Sequence, residues 1–308
     1  MKAVSEAPSK AIITGEHFVV HGAWALAAAL PRKVRVEVAG SSAFAVESDR
    51  FGPGSSGLAP IRRVVEEVGR RYSVGTSVKV SVTSEVPHGA GLGSSASTMV
   101  ALVSALSRFH SLGLGLEEMI GLSMLGEKDI HGKPSGIDPT ICAYGGVILF
   151  KPGSKPRRVR LERPRTLIIS YSGLNRATKG QIGKVSQVKD RYPVLFSRLA
   201  GAVSGLSVDA SHRLVDGDLE GLGNLLVLDQ AALDTVGVSN ETLDSMVDLM
   251  STYGCYGAKL TGAGGGGSVL GVAPKAKEKS VVSGLSERGF ETFTARIPVR
   301  GVRSWLER

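Results

Sequence analysis

The amino-acid sequence predicts an α+β fold, in which strands and helices follow one another without strict alternation. Two segments, Val34–Val38 and Val78–Val82, place valine at every second residue, which is the pattern of half-buried strands. Residues 179–253 have mostly helical spacing instead. A doubly wound parallel sheet requires a regular succession of strand, helix and strand, so the sequence favours α+β over that alternative.

The first half of the chain is predicted to mix strands with buried helices. Lys10 lies in an early strand, and Asp49–Pro60, rich in glycine, proline and serine, is predicted to be a loop. The alanine, valine and leucine content of Ser94–His110 predicts a buried helix. The other predicted elements of this half are the helices Ile61–Tyr72 and Leu116–Ile130 and the strand Val147–Phe150.

The second half is predicted to be mainly helical between short strands. The predicted strands are Thr166–Tyr171, Ala258–Thr261, Val269–Val272 and Thr292–Ile297, and Pro274–Arg288 is predicted to be a charged helix. The helical region 179–253 is predicted to break near Pro193, Gly205, Gly217 and Val238. Prolines and a run of charge near residues 151–165 predict a boundary between domains 1–160 and 161–308.

Composition excludes several classes of protein. The 308 residues include only two cysteines, Cys142 and Cys255, which excludes a disulfide scaffold and a cysteine-rich zinc module. No run of 18 apolar residues is present, and the opening MKAVSEAPSK lacks the apolar core of a signal peptide. We therefore expect a cytoplasmic protein with no membrane partner. The 40 glycines are well above the usual share of about 7% and need an explanation.

The formal net charge of +9 is concentrated in residues 151–191, which hold twelve basic and two acidic residues. Three interpretations are open: a solvated surface, attraction of an anionic substrate, or binding of nucleic acid. Tyr171 is the only aromatic residue in this segment, whereas single-stranded nucleic acid is usually bound by several stacking aromatics. We therefore expect no nucleic-acid partner.

The strongest motif is a glycine-rich loop, Pro87–Ala96, that runs directly into a helix. Glycines at alternate positions allow several backbone N–H groups to converge on one point, and the helix directs its positive end there. This arrangement suits a phosphate, and the serines at the helix start can cap the helix or bind Mg²⁺. The alternative is an ordinary loop with a serine cap. No Gly-Lys-Ser/Thr follows, so the loop is not a Walker A motif.

A second glycine-rich segment, Lys259–Ser268, contains the spacing G-x-G-x-x-G between Gly262 and Gly267. A predicted strand follows it instead of a helix, and no acidic residue stands about 20 positions later, so a dinucleotide site is disfavoured. Either a tight turn between strands or close approach of a ligand would explain the glycines.

Two further segments carry polar residues of interest. In Pro8–Gly22, the order Glu16-His17-x-x-x-His21 differs from the His-Glu-x-x-His pattern of zinc enzymes, so zinc is disfavoured. Glu127 lies near the end of a predicted helix, and Asp138 follows a Pro-Ser-Gly turn. These two acids either face a shared pocket, where they suit Mg²⁺ binding and proton transfer, or are solvated surface charges.

In this order, the four motifs resemble those of the GHMP small-molecule kinases, and among them the mevalonate kinases of the short archaeal or bacterial type. The resemblance extends from Lys10 to Gly267. It implies a two-lobed GHMP kinase fold with an active-site cleft between the lobes, the first domain binding the nucleotide. It also implies Mg²⁺-dependent transfer of the γ-phosphate of ATP to the 5-hydroxyl of mevalonate in isoprenoid biosynthesis.

The resemblance also implies a role for each matching residue. Asp138 would accept the hydroxyl proton, and Lys10 would lie beside it and stabilise the transferring phosphoryl group. Ser95 and Glu127 would hold Mg²⁺. The residues implied for ATP binding are Pro87, Gly89, Ala90, Gly91, Leu92, Gly93, Ser94, Ser95 and Ala96. The residues implied for substrate binding are Glu16, His17, Ser135, Thr178, Gly262, Ala263 and Gly264.

Two alternatives remain open beside this expectation. A related kinase could act on phosphomevalonate, on the 3-hydroxyl of mevalonate or on a sugar. A nucleotide-binding or nucleic-acid-binding protein without catalysis would use the basic segment instead. The resemblance further favours a homodimer.

Overall fold

The structure, a computed structural model, describes residues 1–49, 58–87, 89–132, 134–174 and 178–308, without the side chains of His131, Thr178 and Lys179. Most of the predicted loop Asp49–Pro60 therefore lies outside the described residues. The strands are β1 (Lys2–Thr14), β2 (Ala25–Gly40), β3 (Ala45–Ser48), β4 (Val78–Ser84), β5 (Val147–Phe150), β6 (Arg157–Arg158), β7 (Arg165–Tyr171), β8 (Gly257–Thr261), β9 (Ser268–Val272), β10 (Glu291–Ile297) and β11 (Arg303–Glu307). The helices are α1 (Ala59–Tyr72), α2 (Ser94–Phe109), α3 (Leu116–His131), α4 (Ile137–Tyr144), α5 (Thr178–Arg191), α6 (Pro193–Asp216), α7 (Leu219–Thr235), α8 (Glu241–Thr252) and α9 (Glu278–Glu287), with a short 3-10 helix at Phe18–His21.

The first sheet is built around the long antiparallel pair β1 and β2. Its order is β11-β1-β2-β4-β3, and β5 pairs with β2 and with β6. The predicted valine alternation is confirmed, since Val36 faces Val82 and Val38 faces Val80 across β2 and β4, all buried. Among the described strand pairs only β3 and β4 are parallel, which agrees with the predicted α+β class.

Helix α2 is the central helix of the first lobe. It contacts β1, β2, α3 and α4, and Val100, Leu102 and Val103 have no exposed surface. A helix that is apolar on all sides is stable only when it is covered on all sides. The predicted buried helix is therefore confirmed. The loop just before it is joined to β1, because the N–H of Lys10 donates to the carbonyl of Leu92.

The second sheet has the order β10-β7-β9-β8 and is antiparallel throughout its described strands. Helices α7 and α8 contact β8 and β9, and α9 contacts β7 and β10, while α6 packs on α7 and reaches the first sheet at β1 and β2. Leu260, Val269 and Leu285 of the second lobe belong to one buried apolar cluster, which also includes Phe18 of the 3-10 helix.

The predicted helix breaks at Pro193, Gly217 and Val238 are confirmed, but the break near Gly205 is wrong. Helix α6 is 24 residues long, from Pro193 to Asp216, and Gly205 lies inside it. An exposed glycine inside a long helix costs only about 1 kcal/mol relative to alanine, which the packing of the rest of α6 outweighs. Helix α9 begins at Glu278, later than the predicted Pro274.

The last strand returns to the first sheet. Strand β11 pairs antiparallel with β1, placing Leu306 opposite Ala3. The proposed boundary between residues 160 and 161 separates the two sheets except for this strand. An assignment by sheet would thus place residues 303–307 with the first lobe.

Part of the basic segment 151–191 has a structural role. Arg165 donates hydrogen bonds to the carbonyls of Leu214 and Val215 at the end of α6, where helix carbonyls lack internal partners. The Arg157 guanidinium lies over the ring of Trp24, 4.6 Å from its centre. For Arg157 and Arg165, these contacts favour the first of the three interpretations, a solvated surface, over attraction of a substrate or binding of nucleic acid.

Within the described part of the chain, no helix has both the length and the apolar composition needed to cross a membrane.

Candidate active site

A buried lysine and a partly exposed aspartate meet at the start of helix α4. Lys10, on β1, has only 1% of its surface exposed; its Nζ lies 3.3 Å from Oδ2 of Asp138 and donates to the carbonyl of Gly91 at 3.0 Å. Asp138 lies in the first turn of α4, where the helix dipole stabilises negative charge. The structure thus brings together the two residues predicted to be catalytic, 128 positions apart in the chain.

The predicted metal ligands are also neighbours. Ser95, in the first turn of α2, donates a hydrogen bond from Oγ to Oε1 of Glu127, which is 2% exposed near the end of α3. The buried thiol of Cys142 has its pKa raised to about 12, mainly by burial, and the charges of Asp138, Lys10 and Glu127 all act on it. Helices α2, α3 and α4, which carry Ser95, Glu127 and Asp138, all contact one another, so Glu127 lies in the same region as the Lys10–Asp138 pair.

A hydroxyl and a carboxylate oxygen are donors that fit Mg²⁺. Among the described residues, no group of three or more His, Cys, Asp or Glu side chains is placed to hold a metal ion. An ion at Ser95 and Glu127 would thus find fewer than three such side chains among the described residues, and other oxygens would complete its coordination. Mg²⁺ is commonly bound in this way, with one or two carboxylates completed by phosphate oxygens and water.

The first glycine loop has the backbone that its sequence predicts. Gly89, Gly91 and Gly93 have φ values of 73°, 79° and 79°, while Ala90 and Leu92 between them are buried in the core. A side chain at Gly93 would also collide with the Lys10 side chain, its Cβ lying 2.6 Å from Cγ. Helix α2 starts at the next residue and has no acidic residue in its first turn, so the positive end of its dipole is directed at the loop where the anion site is predicted.

The second glycine loop joins β8 to β9 and contacts the first loop. The Ser268 hydroxyl donates to the carbonyl of Ala90 at 2.8 Å. A Cβ on Gly264 would lie 2.2 Å from the carbonyl oxygen of Val238, and Gly262, Gly264 and Gly265 all have positive φ. The tight turn between strands, with close backbone packing, therefore accounts for these glycines.

The residues predicted to bind substrate are placed in different ways. His17 donates from Nε2 to the carbonyl of Ala263 at 3.0 Å, which joins two of them. The Ser135 hydroxyl accepts from the N–H of Ile137 and so shapes the turn before α4. Thr178 begins α5, but its side chain lies outside the described residues.

Glu16, the residue before His17, is only 1% exposed. Its Oε1 is 2.5 Å from Nζ of Lys259. Asp229 of α7 lies 3.4 Å from the same nitrogen. Burial raises the pKa of Glu16 to about 8; the charge of Lys259 opposes this rise and that of Asp229 adds to it. Glu16 is thus part of a buried cluster of two carboxyl groups and one amine.

Sequence reasoning missed the roles of Lys259 and Asp229. Both are charged residues inside mostly apolar runs, AKLT on β8 and VLDQAAL on α7. A charged residue in such a run is rarely buried without a partner, so it could have been predicted to have one. The sequence does not indicate which residue that partner is.

A separate cavity of about 590 Å³ lies beside the site. The 3-10 helix and α6 provide most of its lining, including His21, Phe196 and Ser204, and α5 adds Lys189. The residues predicted to bind phosphate or catalyse transfer do not line this cavity.

Two family models match separate parts of the chain. Residues 59–146 match the family model of the GHMP kinases N-terminal domain, and residues 209–291 match that of the GHMP kinases C-terminal domain. The chain is 35% identical to a mevalonate kinase of Aeropyrum pernix over 97% of both chains. The chain belongs to the mevalonate kinases, within the GHMP kinase family.

Other relatives agree with this assignment to the mevalonate kinase family. A mevalonate kinase of Methanothermobacter thermautotrophicus is 33% identical over 98% of this chain and 100% of its own. The crystal structure of L. major mevalonate kinase in complex with R-mevalonate superimposes with a TM-score of 0.81, covering 94% of each chain at 29% identity. Family membership makes the protein a kinase that uses ATP and a small-molecule acceptor.

Proposed function

We propose that this protein transfers the γ-phosphate of ATP to the 5-hydroxyl of mevalonate. The observation that carries the proposal is the contact between Lys10 and Asp138, 3.3 Å apart beside the glycine loop at the start of α2. An anion site next to a carboxylate and an amine is what phosphoryl transfer to an alcohol requires. The relatives named mevalonate kinase, and the similar structure with bound R-mevalonate, support mevalonate as the acceptor.

Asp138 would act on the acceptor alcohol. Its carboxylate takes the hydroxyl proton while the alcohol oxygen bonds to the γ-phosphorus and the bond from that phosphorus to the bridging oxygen breaks, so ADP leaves with the electron pair. Lys10 holds Asp138 in place and puts positive charge beside the transferring group. The 24% exposure of the Asp138 side chain leaves it accessible to an acceptor, unlike the buried Lys10.

The phosphates of ATP would lie at the start of α2. Backbone N–H groups of Gly89–Ala96 donate to them, and the positive end of α2 favours their charge. Ser95 and Glu127 would hold Mg²⁺, which when bound neutralises charge on the phosphates. His17 and Ala263 would contribute to the acceptor side of the site.

An assay of ADP release over a panel of acceptors tests this proposal. The panel is mevalonate, phosphomevalonate and galactose, and the position of the phosphate in the product is determined by NMR. We expect turnover with mevalonate and a product phosphorylated at the 5-oxygen. Phosphorylation at the 3-oxygen, or preference for phosphomevalonate or the sugar, would replace the proposed acceptor, and absence of ATP turnover would reject the kinase assignment.

The homodimer stays a prediction of the family resemblance, and the cytoplasmic location stays a prediction of the composition. Light scattering of the purified protein over a range of concentrations tests the first. A mass of about twice the 32.1 kDa of one chain is expected.

A further inference from the structure

His17 lies at the centre of a strained turn. The N–H of Phe18 donates to the carbonyl of Glu16 at 2.6 Å, which closes a three-residue γ-turn. His17 has φ 59° and ψ −43°, close to the form of the γ-turn that is rare because it is strained. A residue with a side chain keeps such a conformation only where the surrounding structure enforces it, and such sites are often functional.

Gly15 and Glu16, which lead into the turn, are bound by side chains of the second lobe. Lys259 of β8 has no exposed surface; its Nζ contacts Glu16 Oε1 at 2.5 Å and also donates to the carbonyl of Leu260 at 2.6 Å. Asp229 of α7, also fully buried, accepts a hydrogen bond from the N–H of Gly15 at 3.2 Å. The backbone of Gly15 and the side chain of Glu16 are therefore both anchored.

The residues after the turn are anchored too. Phe18 is fully buried and lies 5.6 Å, ring centre to ring centre, from Phe196 of α6. The His17 imidazole contacts the carbonyl of Ala263, only four residues after Lys259 along the chain. One segment of the second lobe thus contacts the turn twice. Lys259 binds the Glu16 carboxyl group, and the carbonyl of Ala263 accepts from the His17 side chain.

We propose that Lys259 and Asp229 are positioning residues, which act through Gly15 and Glu16 to hold His17 in the orientation needed to bind the acceptor alcohol. The proposal rests on the proposed function. Neither residue touches substrate in this scheme, since both side chains are fully buried. Loosening the cluster should therefore weaken use of the acceptor much more than use of ATP, because the proposed phosphate site lies at Gly89–Ala96.

Steady-state kinetics of Lys259→Met and Asp229→Ala test this proposal. We expect KM for the acceptor to rise about tenfold or more, since small displacements of a positioning group have effects of this order, with KM for ATP within about twofold of wild type. Asp229→Asn keeps an oxygen that accepts from the Gly15 N–H, so it should retain a near-normal KM. Equal changes in both KM values, or none, would overturn the proposal.

Two controls separate positioning from a general loss of stability. Val38→Ala creates a cavity in the first sheet, where β2 pairs with the start of β1 at Ala3 and not with the part that carries Lys10, and should lower stability without changing either KM. In a double-mutant cycle, Lys259→Met should add nothing to the effect of His17→Ala, because the first acts through the second. Additive effects would exclude the route through His17. If Lys259→Met does not fold, the same cycle is run with Asp229→Ala.

A readout without turnover distinguishes failure of this inference from failure of the proposed function. The chain has six histidines, so the imidazole ¹⁵N resonances can be resolved, and His17→Ala assigns the signal of His17. Asp229→Ala should shift that signal and Asp229→Asn should leave it near its wild-type position. An unchanged signal in Asp229→Ala would overturn the positioning role, whichever acceptor the wild-type enzyme phosphorylates.

Discussion

Asp138 and Lys10 are in contact, but the Asp138 side chain is partly exposed and the Lys10 side chain is buried. Asp138 starts a helix and reaches the surface, whereas Lys10 is enclosed by β1, the Gly91 carbonyl and the Gly93 backbone. The enclosure would keep the Lys10 ammonium group beside the transferring phosphoryl group in the proposed reaction. This arrangement also makes Asp138 the residue whose substitution is easiest to interpret.

Asp138→Asn keeps the shape of the side chain but removes the oxygen that accepts the proton. We expect kcat to fall by about 10²-fold or more, because general-base catalysis typically contributes this much. The measurement is steady-state turnover with mevalonate. Circular dichroism and the thermal midpoint serve as controls for folding. Near-normal turnover by a folded Asp138→Asn protein would reject Asp138 as the base.

Glu16 gives a prediction about pH. Burial raises its pKa in the folded protein to about 8, above the ordinary value of 4.5 that applies to the unfolded chain. The folded state therefore holds a proton that the unfolded state releases, so this group's contribution to stability is present below about pH 4.5 and is lost as the pH rises to about 8.

Glu16→Gln removes this titration. We expect the free energy of unfolding of Glu16→Gln to rise relative to wild type between pH 5 and pH 8, measured by denaturant unfolding at several pH values. Glu66→Gln, on the exposed face of α1, should instead run parallel to wild type. Parallel curves for Glu16→Gln and wild type would show that Glu16 is ionised throughout this range.

At the scale of elements, helix α6 shows which glycines are required by the structure. Gly205 lies inside the helix on its exposed side, and a Cβ there would meet open space. Gly217 ends the same helix with φ 78°, and a Cβ there would lie 2.6 Å from the Arg165 guanidinium. Only the second position needs the conformational freedom of glycine.

The two positions give opposite predictions for the same substitution. Gly205→Ala should raise the free energy of unfolding by about 0.5–1 kcal/mol, because alanine loses less backbone entropy in a helix. Gly217→Ala should lower it, because a left-handed residue with a side chain is strained and would displace Arg165. Denaturant unfolding of both variants decides. A destabilised Gly205→Ala would show that α6 requires glycine at that position.

At the scale of the whole molecule, Thr261 links the two sheets at the site. Its hydroxyl accepts from the N–H of Ile12 at 3.0 Å and donates to the carbonyl of the same residue at 2.9 Å, while Thr261 itself is buried. Ile12 is on β1, two residues after Lys10, and Thr261 ends β8, two residues after Lys259. The link therefore sets the position of the strand that carries Lys10 against the glycine loop that joins β8 to β9.

Thr261→Val keeps the volume and removes the hydroxyl, whereas Thr261→Ser keeps the hydroxyl and removes a methyl group. We expect Thr261→Val to lose about 1–3 kcal/mol of stability, because the buried N–H of Ile12 is left without an acceptor, and Thr261→Ser to lose less. Chemical denaturation of both proteins measures the difference. The reverse order would show that packing, and not the hydrogen bonds, holds the lobes together here.

Much of the architecture could be predicted from local patterns. The valine alternation of β2 and β4 and the apolar content of α2 depend on near neighbours in the chain, so their periods can be recognised directly. The glycines of Pro87–Ala96 could be recognised for the same reason. The helix through Gly205 could not, because distant packing of α6 outweighs the local preference of one residue.

The sequence by itself determined the mixed α+β class, the glycine loop that runs into α2 and the residue types that suit phosphoryl transfer, because each depends on a short stretch of chain. Only the tertiary structure decided which residues meet. Lys259 reaches Glu16 across 243 positions, and β11 pairs with β1 at the other end of the chain. Such contacts depend on the path of the whole chain. That path buries Glu16 against Lys259, and it brings the neighbouring His17 to the carbonyl of Ala263.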